Sequence, residues 1–403
     1  MGAGRVARPR LWFLRGFSGL GVPLGSVLFA FVIGGLIVAV TGANPIDAYQ
    51  GLLCGVGLAC SGGENPALQL SNTIVYATPL IAAGVAVALP FRAGLFNIGA
   101  EGQLLVGTVA CAIVGIKLNS LPAVVLLPLE MIAGMAAGAA WAGIAGVLKA
   151  TVGAHEVVTT IMLNYVAQWL IRYLIIGGPM QAPHAFSASS PVAAAGELPT
   201  FFPAVNSIVI FGLPSSVYRV NSGLIIALAA AAVFAFLLWR TALGYEIRTV
   251  GQSPKAARYA GVSVPMTIIV SMLIAGAFAG LAGAIQLAGV DHQMTDQYFN
   301  DTTGFDAIAV ALLGLGSARG IVLAALLFGT LRTGGAVMQS DAGLSSNLVL
   351  VLQALILFSI AANFVGQIRR LIPGLGPPPT LPSELPPAAP LMSGATVAPP
   401  EGT

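Results

Sequence analysis

Long apolar runs separated by short polar or glycine-containing connections fill the chain from residue 21 to about residue 365. A helix that crosses a bilayer needs about 20 mostly apolar residues. On that measure the pattern predicts spans at 21–41, 71–90, 102–117, 122–148, 157–176, 222–239, 264–290, 304–318, 320–338 and 347–365. The expected fold is an all-α integral membrane protein of about ten transmembrane helices. The eighth stretch is the weakest, being short and carrying Asp306 among Gly304, Gly314 and Gly316. A basic segment (1–20) precedes a transmembrane domain (21–372), and a tail (373–403) follows. The tail holds Pro377, Pro378 and Pro379 with few large apolar residues, so it is expected to be disordered in the cytoplasm. Residues 177–221, rich in Pro, Ala and Ser, form the longest external loop.

The scarcity of charge supports this class. Charged residues make up 8% of the chain and hydrophobic residues 57%, whereas a soluble domain carries roughly 25% charged residues. The placement of the charges gives an orientation, because Lys and Arg favour cytoplasmic connections. Arg5, Arg8, Arg10 and Arg15 precede the first span, and Arg369 and Arg370 follow the last. Arg240, Arg248, Lys255 and Arg258 occupy one connection on the same side. Asp47, Glu64, Glu197, Asp291, Asp296, Asp301 and Asp341 fall on the other. Ten crossings then put both termini in the cytoplasm. The first apolar segment is longer than a signal-peptide core and is expected to remain as an anchor.

The 50 glycines suit close helix packing in a membrane. AGMAAGAAWAGIAG (133–146) and AGAFAGLAGAI (275–285) both place glycines four apart, Gly134/Gly138 and Gly276/Gly280. They read either as a trace of two repeated halves or as the common texture of membrane helices. Of the three cysteines, Cys54 and Cys60 share an external segment. They are expected to be free thiols, with a mutual disulfide as the alternative, and no metal-ligand spacing occurs. The stretch DHQMTDQYFND (291–301) reads as a solvated outer loop rather than a cation site.

The cytoplasmic segment GQSPKAARYAG (251–261) carries helix punctuation. Ser253 suits an N-cap, Pro254 the first helical position and Gly261 the residue past the end. The pattern predicts a two-turn helix displaying Lys255 and Arg258. A helix this short is unstable alone in water, so it needs a surface to dock on.

Gly251, Pro254, Ala256, Ala257 and Gly261 resemble the G-x-N-P-x-A-A-x-x-x-G pattern of permease subunits of ABC importers, in the branch that carries ribose, simple sugars and nucleosides. Ser253 replaces the usual asparagine and keeps the capping ability. GLFNIGAEGQLLVG (94–107) and AHEVVTTIMLNYVA (154–167) are similar to blocks of the nucleoside-type members, with His155 where asparagine is usual. GFDAIAVALLG (304–314) is similar to a fourth block. The resemblance implies that Gly251, Ser253, Pro254, Lys255, Ala256, Ala257, Arg258, Tyr259 and Gly261 form a coupling helix seated in a groove of a separate ATPase. It implies a plasma-membrane complex with a second, related permease and an extracytoplasmic substrate-binding lipoprotein. The expected substrate is a nucleoside, with a simple sugar such as ribose as the alternative. ATP and Mg belong to the ATPase, and no cofactor is expected on this chain.

Two readings stay open for 94–107, where glycines interrupt an apolar run holding Asn97, Glu101 and Gln103. Irregular backbone at membrane depth occurs only where it is buried in protein or lines a cavity, and an ionisable residue there points to function. The block therefore lines the translocation path or gate, or else it is a cytoplasmic turn with Arg92 and Glu101 at the interface. Asn164, inside the fifth span, is expected to make an interhelical hydrogen bond and is a second candidate for the path. Glu130 and Asp306 would serve a transporter working alone. The three lysines, Lys117, Lys149 and Lys255, include no Walker A pattern, and no nucleophile elbow or HExxH motif occurs. Nothing in the pattern implies an enzyme, a bound metal or a nucleic-acid partner.

Overall fold

In a computed structural model, the residues described are 21–40, 42–60, 63–202, 208–299, 302–345 and 347–361. The basic N-terminal segment, Asp301, Arg369, Arg370 and the proline-rich tail lie outside them. The helices are α1 (Gly21–Val40), α2 (Pro45–Cys54), α3 (Pro66–Arg92), α4 (Ala100–Lys117), α5 (Ala123–Val152), α6 (Glu156–Ile175), α7 (Gly223–Arg240), α8 (Ala242–Gln252), α9 (Pro254–Tyr259), α10 (Val264–Gln286), α11 (Thr303–Leu313), α12 (Ala318–Ala342) and α13 (Asn347–Ala361).

Each apolar stretch expected to span coincides with a helix. Among the described residues, seven are long and apolar enough to cross a membrane: α1, α3, α4, α5, α7, α10 and α12. Thr159, Thr160, Asn164 and Gln168 make α6 more polar. The expected eighth span, 304–318, is corrected: α11 has 11 residues, about 16 Å at 1.5 Å per residue. It therefore covers only half a bilayer. A tight turn follows, with Leu315 and Gly316 at positive φ.

Local chemistry starts several helices. Asn44 before Pro45 accepts from Ile46 N at 3.0 Å, and Asn65 before Pro66 accepts from Ala67 N at 3.0 Å. Both are N-caps followed by proline at the first helical position. Helix α3 is the axis of the bundle. It is buried continuously from 77 to 90, as an apolar helix enclosed on all sides should be.

The most extensive helix pair is α5 with α10. A Cβ on Gly138 would overlap the Gly276 carbonyl oxygen, and a Cβ on Gly276 would overlap that of Gly138. Gly280 presses on Gly134 and, from α4, Gly107 presses on Gly280. The two glycine-rich stretches noted in the sequence are thus the two sides of one contact.

The 177–221 connection is pinned across the segment after α10. Leu198 N donates to Ala288 O, Val192 N to His292 O and Ser189 N to Met294 O, each at 2.8 Å. A two-residue hairpin, β1 (Val209–Ile210) with β2 (Leu213–Pro214), closes part of it. Helix α10 widens into a π-turn at Leu287–Asp291, whose Gly289 carbonyl accepts from Asn221 Nδ2 at 2.6 Å. Cys54 and Cys60 form a disulfide, which corrects the expectation of free thiols. Asn44 and Pro45 start α2 so that Cys54 falls at its end, and the turn after it brings Cys60 back. Cys111 is buried and free.

Candidate coupling surface and helix break

The segment 251–261 folds as its punctuation predicts. Ser253 Oγ accepts from Ala256 N at 3.2 Å, Pro254 opens α9, and Gly261 follows with φ +81°. Lys255, Ala256 and Arg258 are exposed, and Tyr259 is 94% exposed. Ala257 instead faces inward, buried against Val250 and Val264 with Val262 and Ile268 around them. The segment is therefore two-sided, with Ala257 as its root and Lys255, Arg258 and Tyr259 as its free face. Helix α8, absent from the sequence reading, carries it. Arg248 of α8 stacks on Trp239 of α7, 4.5 Å from the ring centroid.

The root of this unit touches the end of α3. Gly251 lies so close that a Cβ would overlap the Arg92 carbonyl oxygen, and Gly94, at φ +74°, packs against Gly251 in turn. Arg92 Nη2 donates to Leu315 O at 3.1 Å and to Gly316 O at 3.0 Å. The turn at 92–94 thus joins the α8–α9 unit to the α11–α12 turn and leads directly into the helix break. Sequence reasoning gave Arg92 no such role. Its position at the edge of the 94–107 block was the available signal.

The break itself is buried and fully organised. Asn97 and Gln103 exchange two amide hydrogen bonds of 3.0 Å, and Asn97 Oδ1 also accepts from Gly99 N at 3.0 Å. Asn164 reaches across from α6, accepting from Gly102 N at 2.8 Å and donating to Ile98 O at 2.9 Å. Glu101 Oε2 accepts from Gly304 N at 2.7 Å, so a carboxylate sits at the positive N-terminal end of α11. Asn97 and Glu101 are 0%, Gln103 1% and Asn164 2% exposed. Asn164 lies eight residues after Glu156 in α6, which puts the break about 12 Å into the bundle. Glu101 is enclosed by the bundle rather than at its surface. Two helices, α4 and α11, begin here in the interior, and a side chain satisfies one first-turn amide of each, Gly102 N from Asn164 and Gly304 N from Glu101.

The other candidates lie apart. His155 is exposed at the start of α6, beside the Lys149–Glu156 ion pair of 2.8 Å. Glu130 of α5 is fully buried against Gly115 and Gly196. Asp306 sits on the first turn of α11, 3.5 Å from Thr302 Oγ1. Among the described residues no group of three His, Cys, Asp or Glu has the arrangement to hold a metal. Asp291 accepts from Tyr298 Oη at 2.7 Å.

This glycine-packed bundle of long apolar helices is an integral membrane permease, a multi-pass protein of the plasma membrane. The chain belongs to the family described as branched-chain amino acid transport system / permease component, whose pattern matches residues 69–361. It is 38% identical over 358 residues to the guanosine ABC transporter permease protein NupP of Bacillus subtilis (strain 168), covering 88% of this chain and 97% of that one. It is 40% identical over 354 residues to the glucose ABC transporter permease protein TsgB13 of Haloferax volcanii, covering 87% and 89%. It is 36% identical over 351 residues to the nucleoside ABC transporter permease protein NupB of Lactococcus lactis subsp. cremoris, covering 86% and 92%. No solved structure matches the chain at significance.

Proposed function

We propose that this permease imports nucleosides by alternating access, as one of two membrane subunits driven by a separate ATPase. The observation that carries the reading is the identity of 38% and 36% to guanosine and nucleoside permeases, over 97% and 92% of their lengths. A second permease is part of the proposal, because the chain also matches NupQ of the organism that holds NupP, at 28% identity. It likewise matches NupC of the organism that holds NupB, at 22% identity.

In this reading the end of the bundle that carries α8 and α9 faces the cytoplasm. The free face of α9 seats in the ATPase, which holds ATP and Mg, and a binding lipoprotein delivers substrate from outside. The ATPase must bind the two permease states with different affinity, or it shifts nothing. Its movement of α9 passes through Gly251 to the 92–94 turn. From there it reaches the starts of α4 and α11, where Asn97, Glu101, Gln103 and Asn164 hold the gate.

The second reading is a simple sugar, favoured by the 40% identity to a glucose permease. Uptake of labelled guanosine and glucose into cells expressing the whole complex separates the two. Guanosine uptake unaffected by excess glucose supports the nucleoside. Glucose uptake without guanosine uptake overturns it.

A further inference from the structure

Helix α7 shows an exposed apolar stripe that ends in charge. Leu228, Ala232, Phe236 and Arg240 are all exposed, and residues four apart share one face of a helix. The stripe runs for about 18 Å at 1.5 Å per residue, close to the depth of one leaflet of a roughly 30 Å hydrocarbon layer. Arg240 closes the helix. Trp239 beside it is exposed as well, as in the aromatic belts that mark a membrane–water interface. The stripe therefore has a cation where the headgroups of a leaflet begin.

Folding brings a second arginine to this end. Helix α8 turns back at Thr241, whose Oγ1 accepts from Gly244 N at 3.1 Å, and Ile247 and Val250 seat it against the bundle. This fold sets Arg248 over the Trp239 ring, 4.5 Å from guanidinium carbon to centroid. Arg248 Nε donates to Gly244 O at 3.2 Å, and its Nη groups have no hydrogen-bond partner among the described residues. Neither Arg240 nor Arg248 pairs with a carboxylate among those residues. Arg248 is also close enough to Arg92 for their like charges to repel. The two ends of the chain outside the described residues bring no net negative charge to offset this. Residues 1–20 hold Arg5, Arg8, Arg10 and Arg15 and no acid, and residues 362–403 hold Arg369 and Arg370 against Glu384 and Glu401.

We propose that this face binds an anionic phospholipid of the cytoplasmic leaflet, with an acyl chain along Leu228, Ala232 and Phe236 and the phosphate between Arg240 and Arg248. Guanidinium groups hold phosphate through paired N–H donors, and the cytoplasmic leaflet is the one that carries anionic lipid. An anionic headgroup offsets the crowded arginines, whereas a zwitterionic one brings its own cation. The apolar stripe selects a lipid over free phosphate, which has nothing to place there. The side of the membrane rests on the import reading above, which puts α8 and α9 in the cytoplasm. The lipid contact itself does not.

The test uses the permease purified in detergent with its partner subunits. It is titrated with phosphatidylglycerol or with phosphatidylcholine of the same acyl chains, and retained lipid is counted by native mass spectrometry. The double variant Arg240→Gln, Arg248→Gln is expected to hold phosphatidylglycerol about thirtyfold more weakly at this site than the wild type, about fivefold for each arginine. Phosphatidylcholine is expected to bind both proteins alike. Arg240→Lys with Arg248→Lys keeps the charge and should keep most of the affinity, which separates lost charge from lost folding.

Equal phosphatidylglycerol affinity in the wild type and the glutamine variant overturns the site. Loss of phosphatidylcholine in step with phosphatidylglycerol overturns the selection by charge. Displacement of phosphatidylglycerol by an equal concentration of inorganic phosphate overturns the lipid as occupant. Release of the second permease from the glutamine variant, with phosphatidylglycerol retained, assigns the face to a subunit contact and overturns the proposal too. Guanosine transport takes no part in this readout, so failure of the nucleoside reading and failure of the lipid site are told apart.

Discussion

Glu101 Oε2 accepts the amide hydrogen of Gly304 at 2.7 Å, across 203 positions of chain, and so ties the start of α4 to the start of α11. A hydrogen bond to a charged group contributes about 1.5–3 kcal/mol. Glu101→Ala is therefore expected to lower stability by about that amount, and Glu101→Gln, which keeps an acceptor, by less. Thermal unfolding in detergent measures both, and an unchanged Tm for the alanine variant would contradict the role. Glu101→Gln and Asn97→Ala are also expected to lower uptake at matched expression. Normal uptake in both would remove the break from the gate.

The crossing of α5 and α10 gives a second prediction. Gly→Ala within a helix gains about 1 kcal/mol of helix propensity. At Gly280, however, the added methyl meets the Gly134 carbonyl, Gly134 carbon and Gly138 Cα, all backbone. Backbone cannot rotate away as a side chain can, so overpacking wins. Gly280→Ala should destabilise by about 1–3 kcal/mol, read as a lower Tm. A raised Tm would show that the helices have room to part.

The two sides of α9 should respond differently to substitution. Tyr259→Ala and Arg258→Glu change only its exposed face and are expected to reduce substrate-dependent ATP hydrolysis by the complex without lowering Tm. Ala257→Glu places a carboxyl among Val250, Val264 and Ile268. It should lower Tm, since burying an unpaired polar group costs about 2 kcal/mol or more. Wild-type ATPase stimulation in both surface variants would remove α9 as the docking element.

The disulfide predicts a labelling pattern. Alkylation of the folded protein should leave Cys54 and Cys60 unmodified until a reductant is added, and Cys111 unmodified until the protein is unfolded, as read by peptide mass. The loop-entropy model gives a short loop such as 54–60 about 2 kcal/mol of stabilisation. Replacing both cysteines with alanine should lower Tm accordingly. Alkylation of Cys54 without reductant would contradict the pairing.

Features set by neighbours in sequence were legible, and features set by distant contacts were not. Each long apolar run became a helix because burial and backbone satisfaction inside a membrane leave little else. Helix α9 was readable from Ser253, Pro254 and Gly261 because capping acts within four residues. Helix α8 was read as loop, since its apolar positions Ile247 and Val250 are buried only by folding back against the bundle. Asn164 suggested an interhelical bond. Its partners, Gly102 amide and Ile98 carbonyl, lie 62 and 66 positions away, beyond any local signal. The burial of the break followed only once α6 was placed beside it. The reciprocal fit of Gly138 and Gly276 was visible as similarity, but two similar glycine faces do not announce that they touch.

In the proposed mechanism the energy for import reaches this permease through a partner. The decisive measurement is accumulation of labelled guanosine in proteoliposomes holding this chain, the second permease and the ATPase, with the binding protein outside. Accumulation is expected only when ATP and Mg are present on the ATPase side, and Arg258→Glu should reduce it. Accumulation by this chain without any ATPase, or accumulation indifferent to ATP, would contradict the account.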